Sequence, residues 1–171
     1  MVAAISQDGY LTKGDDPNPA HWTSQEDKQH LSSLINKYEL QVFGSKTYEA
    51  YKPSPQKGIL RVVLTHSPDK YSDARVNGQL QFEKLSPQEF VEKYEQYYGS
   101  CLLLGGGSVY RQFLDAGVVN EIYLTIEPVE HKSGKSFLKP GETLSDLSLP
   151  EPETTDLNDS GTELRHYTLK N

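Results

Sequence analysis

Three scarcities bound this chain before any motif is read. A single cysteine, Cys101, leaves no partner for an internal disulfide and no multi-cysteine metal site. No apolar run approaches the ~20 residues that a membrane-spanning helix needs. There is no surplus of positive charge either: 17 basic residues stand against 24 acidic ones, for a net −7, whereas a nucleic-acid partner requires a basic face. The polar Gln7-Asp8-Gly9 comes too early to leave room for a signal peptide's apolar region, so a cytoplasmic setting is expected. The expected partner is a small molecule, not nucleic acid and not membrane. His21, His30, His66, His131 and His166 are scattered without metal-ligand spacing, and no metal is expected. Cys101 lies in the run Cys101-Leu102-Leu103-Leu104 and reads as a small buried hydrophobe.

What is present suits one α/β domain over residues 1–171, with 35% hydrophobic residues to close a core. Val2–Ile5, Leu40–Phe43, Leu60–Thr65, Cys101–Leu104 and Glu121–Ile126 read as strands, and Leu80–Phe82 as a weaker one. Helices are expected from Ser24, from Thr47 to Tyr51, from Gln88 to Tyr97 behind Ser86-Pro87, and from Ser108 to Asp115. The stretch Asp8–Trp22 reads as loop, and from Gly141 to Gly161 the chain is polar and Pro-rich. Glu163–Thr168 alternates as an antiparallel edge strand would. Strands separated by helices imply a central, mostly parallel sheet with helices on both faces and an antiparallel C-terminal end. In such sheets ligands sit at the carboxyl ends of the strands, here just after Phe43, Leu64 and Leu104.

Those three ends carry donors. Gly105-Gly106-Gly107 joins a buried strand directly to the helix at Ser108, where free N–H groups and the positive end of the dipole favour a phosphate. Tyr110 stands where the dinucleotide fingerprint has its third glycine, and no Gly-Lys-Ser/Thr follows, so the glycines alone do not decide between a cradle and a tight turn. Gly44-Ser45-Lys46-Thr47 repeats the strand–glycine–helix arrangement with one cation. Leu64-Thr65-His66-Ser67 adds hydroxyls and an imidazole. The convergence suits an extended, phosphate-bearing ligand.

Asp27 has two readings. Three residues after Ser24 it fits the acid of a capping box, which pattern alone favours. It also heads the apolar stripe Leu31, Leu34/Ile35, Tyr38, where a buried carboxylate needs a polar partner or a ligand and has a raised pKa.

Leu103-Leu104-Gly105-Gly106-Gly107-Ser108-Val109-Tyr110-Arg111-Gln112-Phe113-Leu114, followed by Ile122-Tyr123-Leu124-Thr125, closely resembles the corresponding stretch of dihydrofolate reductases. Trp22 with Asp27, and Gly44-Ser45-Lys46-Thr47-Tyr48-Glu49, are similar to that family's tryptophan, acid and Gly-Arg-x-Thr-Trp-Glu segment. The resemblance runs in order from Ala4 to the Glu163–Thr168 strand. Ser6-Gln7-Asp8-Gly9-Tyr10 and Trp22-Thr23-Ser24 also resemble the reductase domain of riboflavin biosynthesis, in the same superfamily.

The resemblance implies a dihydrofolate reductase-like fold and NADPH-dependent reduction of dihydrofolate to tetrahydrofolate. Its catalytic residues would be Asp27, Thr125 and Trp22. Its substrate pocket would be Ala4, Asp27, Leu31, Leu104 and Thr125. Its cofactor residues would be Ala4, Gly44, Ser45, Lys46, Thr47, Leu64, Thr65, His66, Ser67, Gly105, Gly106, Gly107, Ser108, Val109 and Tyr110. Lys46 would meet the NADPH 2′-phosphate as a point charge, because Ser45 replaces the family's arginine. Lys57 and Arg61 stand nearest to the family's glutamate-clamping arginine, and the Asp8–His21 loop is expected to close over the nicotinamide. The alternatives are a riboflavin-pathway reductase acting on a ribosylaminopyrimidine phosphate, and a nucleotide-binding module without catalysis.

Overall fold

The computed structural model describes residues 1–16 and 18–169. In chain order its elements are β1 (Val2–Ser6), α1 (Gln25–Lys37), β2 (Leu40–Gly44), α2 (Ser45–Tyr51), β3 (Leu60–Leu64), β4 (Leu80–Glu83), α3 (Pro87–Tyr94), β5 (Leu102–Leu103), α4 (Gly107–Asp115), β6 (Glu121–Glu127), β7 (Glu153–Asp156) and β8 (Glu163–Thr168). Short 3₁₀ turns occupy Pro19–His21, Pro68–Ala74 and Leu144–Leu147. By its contacts the chain divides into two compact units: Met1–Ser32 with Val119–Asn171, and Ser33–Val118. The expected α/β fold is the one adopted, with parallel pairing dominant and antiparallel pairing at the C-terminal end.

In the unit Ser33–Val118 the strands lie in the order β4-β3-β2-β5, all parallel. Parallel neighbours need long crossovers, which α2, the Pro68–Ala74 segment and α3 supply along the chain. Apolar residues follow one another without alternation because both sides of these strands are buried: Val42, Val62 and Val63 are wholly inaccessible. Phe43, Val63, Leu80 and Phe82 form a tight cluster, with Tyr71 stacked on Phe82 at 4.6 Å and Tyr48 edge-on to it at 4.9 Å. Register aligns Gly44 with Leu64 and Val42 with Leu103, and the Leu104 N–H donates to the Val42 carbonyl. The carboxyl ends of β2, β3 and β5 therefore finish at one edge of this sheet.

In the other unit the order is β1-β6-β8-β7, with β1 parallel to β6 and β8 antiparallel to both of its neighbours. The alternating residues of Glu163–Thr168 suggest an edge, but β8 is interior and β7 forms the edge beyond it. β7 falls inside the polar, Pro-rich stretch Gly141–Gly161, where the sequence marks no strand. All four residues, Glu153-Thr154-Thr155-Asp156, are exposed, so no apolar alternation marks them. Three other boundaries also differ. β5 is two residues rather than four, α3 stops at Tyr94, and the Asp8–Trp22 loop contains a 3₁₀ turn capped by the Asn18 side chain. Cys101 is half-buried just before β5, and burial pushes its thiol up to about 12, away from nucleophilic use.

The Asp8–His21 loop is held by the segment after β6. Leu11 N–H donates to the Lys135 carbonyl and Gly14 N–H to that of Ser133, while the Asp8 carboxylate accepts from the His131 and Lys132 N–H groups. Gly134 permits this closeness, since a Cβ built on it would lie 2.0 Å from the Thr12 carbonyl oxygen. Gly134→Ala is accordingly expected to force the two segments apart and to cost about 1–3 kcal/mol, the range of an overpacked contact. A lowered urea midpoint checks it; an unchanged midpoint would mean that the segments separate freely.

Candidate active site

One side of α1 and one face of β6 meet in a simple register. Along β6 the residues Tyr123, Thr125 and Glu127 share a face, because side chains alternate along a strand. Along α1 and its cap, His30, Asp27 and Ser24 share a side at three-residue spacing. They pair off in opposite directions. The His30 and Tyr123 rings are 5.6 Å apart, the Asp27 carboxyl faces Thr125, and the Ser24 N–H donates to Glu127 Oε1 at 2.7 Å.

The two readings of Asp27 are separated by that last bond. Ser24 does cap α1, since its hydroxyl accepts from the Asp27 N–H at 3.2 Å. In a capping box the Asp27 carboxylate would take the Ser24 N–H in return, but Glu127 holds it. Side-chain length is not the reason. An aspartate at the same helical position, Asp146, completes its box with the Thr143 N–H at 2.7 Å, as Glu89 does with Ser86. Asp27 is thus a cap only in its backbone, and its carboxyl is turned to other use.

That carboxyl is 6% exposed. Burial is the main influence on its proton affinity and raises its pKa above the ordinary aspartate range. The hydroxyls of Thr125 and Thr23 pull the other way, the like charge of Glu127 pushes up again, and His30 pulls down; the net direction is up. Thr125 is wholly buried, and its hydroxyl favours the carboxylate without completing a hydrogen bond of regular geometry among the described residues. Ala4 is the Cα partner of Thr125 across the β1–β6 pairing, and Leu31 lies one helical turn beyond Asp27, half-buried. Trp22 packs edge-on against His131 at 4.5 Å, and its indole N–H is a second buried donor without an acceptor among the described residues. A hydroxyl left open beside a buried acid, as at Thr125, is what a bound heterocycle would complete.

Glu127 does not stand out from sequence, although it is 3% exposed. Its other oxygen accepts from the Thr162 hydroxyl at 2.8 Å; Asn158 donates to Thr162 and to Glu26. Extending the alternation Tyr123, Thr125 by one step places Glu127 on the same face, which is the signal that could have found it.

In the unit Ser33–Val118 the expected phosphate turn is built from β2, β5 and α4. The Gly44 N–H donates to the Gly105 carbonyl at 2.7 Å, joining the two glycine turns, and the Gly105–Gly106 peptide bond is cis. A Cβ on Gly44 would meet Val109 Cγ2 at 2.9 Å, and one on Gly106 would meet Thr47 Oγ1 at 3.2 Å. Gly106 caps α4 with no side-chain bond and no acid in the first turn, so the leading N–H groups at Gly107 and Ser108 remain for an anion. A dinucleotide phosphate fits that arrangement. Leu64 ends β3 and Leu104 follows β5 at this edge; Ser45, Thr47 and Thr65 are half-buried and Lys46, His66, Ser67 and Ser108 are exposed. Thr65 Oγ1 accepts from the Ser67 N–H, a turn of its own. Tyr110 is buried against Gly105. Among the described residues no cluster of His, Cys, Asp and Glu could hold a metal, and no helix is long and apolar enough to cross a membrane.

The sequence pattern of the RibD C-terminal domain matches residues 1–131 of this chain. The chain belongs to that family. It is a family of reductases with the dihydrofolate reductase-like fold. Among curated proteins no relative matches. Solved structures agree on the fold. A putative riboflavin biosynthesis protein from Shewanella sp. PV-4 is 18% identical, with 99% of this chain and 97% of that one covered and a TM-score of 0.72. Dihydrofolate reductase from Enterococcus faecalis, complexed with NADP(H) and RAB-propyl, is 19% identical over 98% and 93%, with a TM-score of 0.68. A diaminohydroxyphosphoribosylaminopyrimidine deaminase/5-amino-6-(5-phosphoribosylamino)uracil reductase from Thermotoga maritima is 17% identical, with 98% of this chain but 55% of that one covered and a TM-score of 0.72. Family membership thus falls with the riboflavin-type reductases, the alternative carried by the Ser6-Gln7-Asp8-Gly9 opening, rather than with dihydrofolate reductase.

Proposed function

We propose that this chain is an NADPH-dependent reductase of a small molecule that carries a pyrimidine-type ring, and that Asp27 is the acid of its substrate site. The observation that carries the reading is the buried Asp27 carboxyl, kept out of its own helix cap and raised in pKa beside Thr125. NADPH supplies the hydride when bound. The N-terminal N–H groups of α4 take its pyrophosphate, the glycines at 44, 105 and 106 let the turn that presents them pack closely against Val109, Tyr110 and Thr47, and Lys46 takes the 2′-phosphate as a point charge. Thr125 offers a buried hydroxyl beside the acid, and Trp22 a buried indole N–H against His131.

The charge on Asp27 selects the ring edge. A neutral carboxyl both donates and accepts, which matches the lactam edge of a uracil-type ring. An ionised carboxylate only accepts, which matches the two N–H donors at N3 and the 2-amino group of a pterin. Family membership favours the first, so a ribosylaminopyrimidine phosphate is the preferred substrate.

Dihydrofolate is the second reading, on the residue matches around Asp27 and Thr125. Against it, Arg61 cannot serve as a glutamate clamp without losing its own partners. It is 6% exposed and donates to the Ser54 carbonyl, Gln41 Oε1 and Gln56 Oε1 at 2.6, 3.1 and 3.3 Å. Following NADPH absorbance with each substrate tests the reading. Turnover of the ribosylaminopyrimidine phosphate is expected, and turnover of dihydrofolate alone would move the assignment to the pterin. NADPH binding with neither substrate reduced would leave a nucleotide-binding module and overturn the proposal.

A further inference from the structure

We propose that Glu127 is the positioning residue for Asp27: by taking the Ser24 N–H it replaces Asp27 in the helix cap and leaves that carboxyl to meet the substrate ring. The inference rests on the reading of Asp27 as the substrate-site acid, and it adds to that reading what puts the acid there.

The geometry has three parts. First, the bond that an acid at the third helical position normally makes is made by a residue 103 positions away in sequence, at 2.7 Å. The chain's two ordinary capping boxes, Ser86 with Glu89 and Thr143 with Asp146, show what Asp27 would do without that competitor. Second, Glu127 is itself held. Thr162 Oγ1 donates to its second oxygen, and Asn158 Nδ2 donates to Thr162 Oγ1 at 3.1 Å and to Glu26 Oε2 at 2.9 Å. The Asn158 side-chain oxygen accepts from the Ser160 and Thr162 N–H groups, so the turn between β7 and β8 is built around this support. Third, both carboxyl groups are buried, at 3% and 6% exposure, so Glu127 also acts on Asp27 through its charge.

The groups facing Asp27 are Thr125 and Glu127 from β6, Thr23 from the segment ahead of α1, and His30 from α1; His166, from β8, acts on His30. Those facing Glu127 are the Ser24 N–H and the Thr162 hydroxyl. Only Glu127 among them combines a like charge with a hold on the helix start. Other buried polar groups do not carry as much: Arg61 is satisfied within its own unit, and Tyr94 is bonded to Gln81 and Glu83.

Two variants of the full chain separate the two actions. Glu127→Gln keeps an oxygen for the Ser24 N–H and removes the charge. Glu127→Asp keeps the charge and shortens the reach to Ser24. The readouts are the protonation midpoint of Asp27, followed by carboxyl-carbon NMR of the ¹³C-Asp-labelled protein without substrate, and KM and kcat with the substrate found above. In Glu127→Gln the Asp27 midpoint should move down, because the like charge is gone. In Glu127→Asp the midpoint should stay up while KM rises about tenfold, a loss equivalent to one hydrogen bond to a charged group. Thermal melts confirm that both variants are folded.

An Asp27 midpoint unmoved by Glu127→Gln would overturn the electrostatic role. A KM unmoved by Glu127→Asp would overturn the positioning role. If the midpoint shifts as expected but the wild-type chain reduces no pyrimidine or pterin, the reading of the site fails and the link between the two carboxyls stands.

Discussion

Asp27→Asn should reduce NADPH oxidation near neutrality by roughly 100- to 10,000-fold, the usual contribution of a positioned acid or base. The amide keeps an acceptor for the surrounding hydroxyls but cannot take up and give back a proton as the Asp27 carboxyl can. Stability should move in the opposite direction. A carboxyl whose folded pKa is raised above its unfolded value contributes stability that is fully present below the unfolded pKa and lost as pH rises through the folded one. Near neutrality, then, the buried charge of Asp27 weighs against the fold, and Asn removes it. The variant should melt at a higher temperature than the wild type near neutrality, and the gap should close below the ordinary aspartate range. Melts across that interval, run beside the kinetics, make the check. A variant both inactive and less stable would point to a structural carboxylate instead, and a variant with full activity would remove Asp27 from the chemistry.

That trade between activity and stability explains why Asp27 is only half legible in sequence. Its place at the head of the Leu31, Leu34 stripe is visible, as is the serine three residues before it. What decides its use is the acceptor taking the Ser24 N–H, and that acceptor comes from β6, 103 residues on. Local pattern carries no information about such a partner. The strand that supplies it is legible from Glu121 to Ile126, and it extends by one residue to include Glu127, buried where a strand-ending glutamate would ordinarily be solvated.

Strands that bury both faces, such as β2 and β3, are readable because their side chains record the burial directly. Strands that bury little are not: β7 is exposed at all four positions, and its existence depends on pairing with β8. For the same reason β8 carries an edge-like alternation while lying inside its sheet. The strand–glycine–helix units at Gly44 and Gly105 are legible as separate motifs. Their union through the Gly44–Gly105 hydrogen bond follows from β2 pairing with both β3 and β5, which is a property of the sheet.

The second large effect is expected at Gly105, through two penalties that can be separated. Its φ of +103° is a conformation that side chains rarely adopt, and a Cβ there would lie 2.9 Å from both Cζ and Oη of Tyr110. Tyr110 is 5% exposed, so its ring has no open space into which to retreat. Gly105→Ala should therefore lose about 1–3 kcal/mol to backbone strain and a similar amount to overpacking. Gly117→Ala gives the first penalty alone, since Gly117 has a φ of +68° with nothing within 4 Å of its would-be Cβ. The excess of Gly105→Ala over Gly117→Ala in urea unfolding measures the clash, and Tyr110→Phe in the Gly105→Ala background should recover part of it. Cofactor binding provides the separate readout. The Gly105 carbonyl accepts the Gly44 N–H and so ties the two glycine turns together, while the next residue, Gly106, caps α4. Displacing that backbone moves the N–H groups that would hold the pyrophosphate. The rise in melting temperature with saturating NADPH, which scales with ligand concentration over Kd, should shrink or vanish in Gly105→Ala and persist in Gly117→Ala. Equal loss of the NADPH shift in both variants would mean that general destabilisation, and not the turn, is being read; an intact shift in Gly105→Ala would remove this turn from the cofactor site.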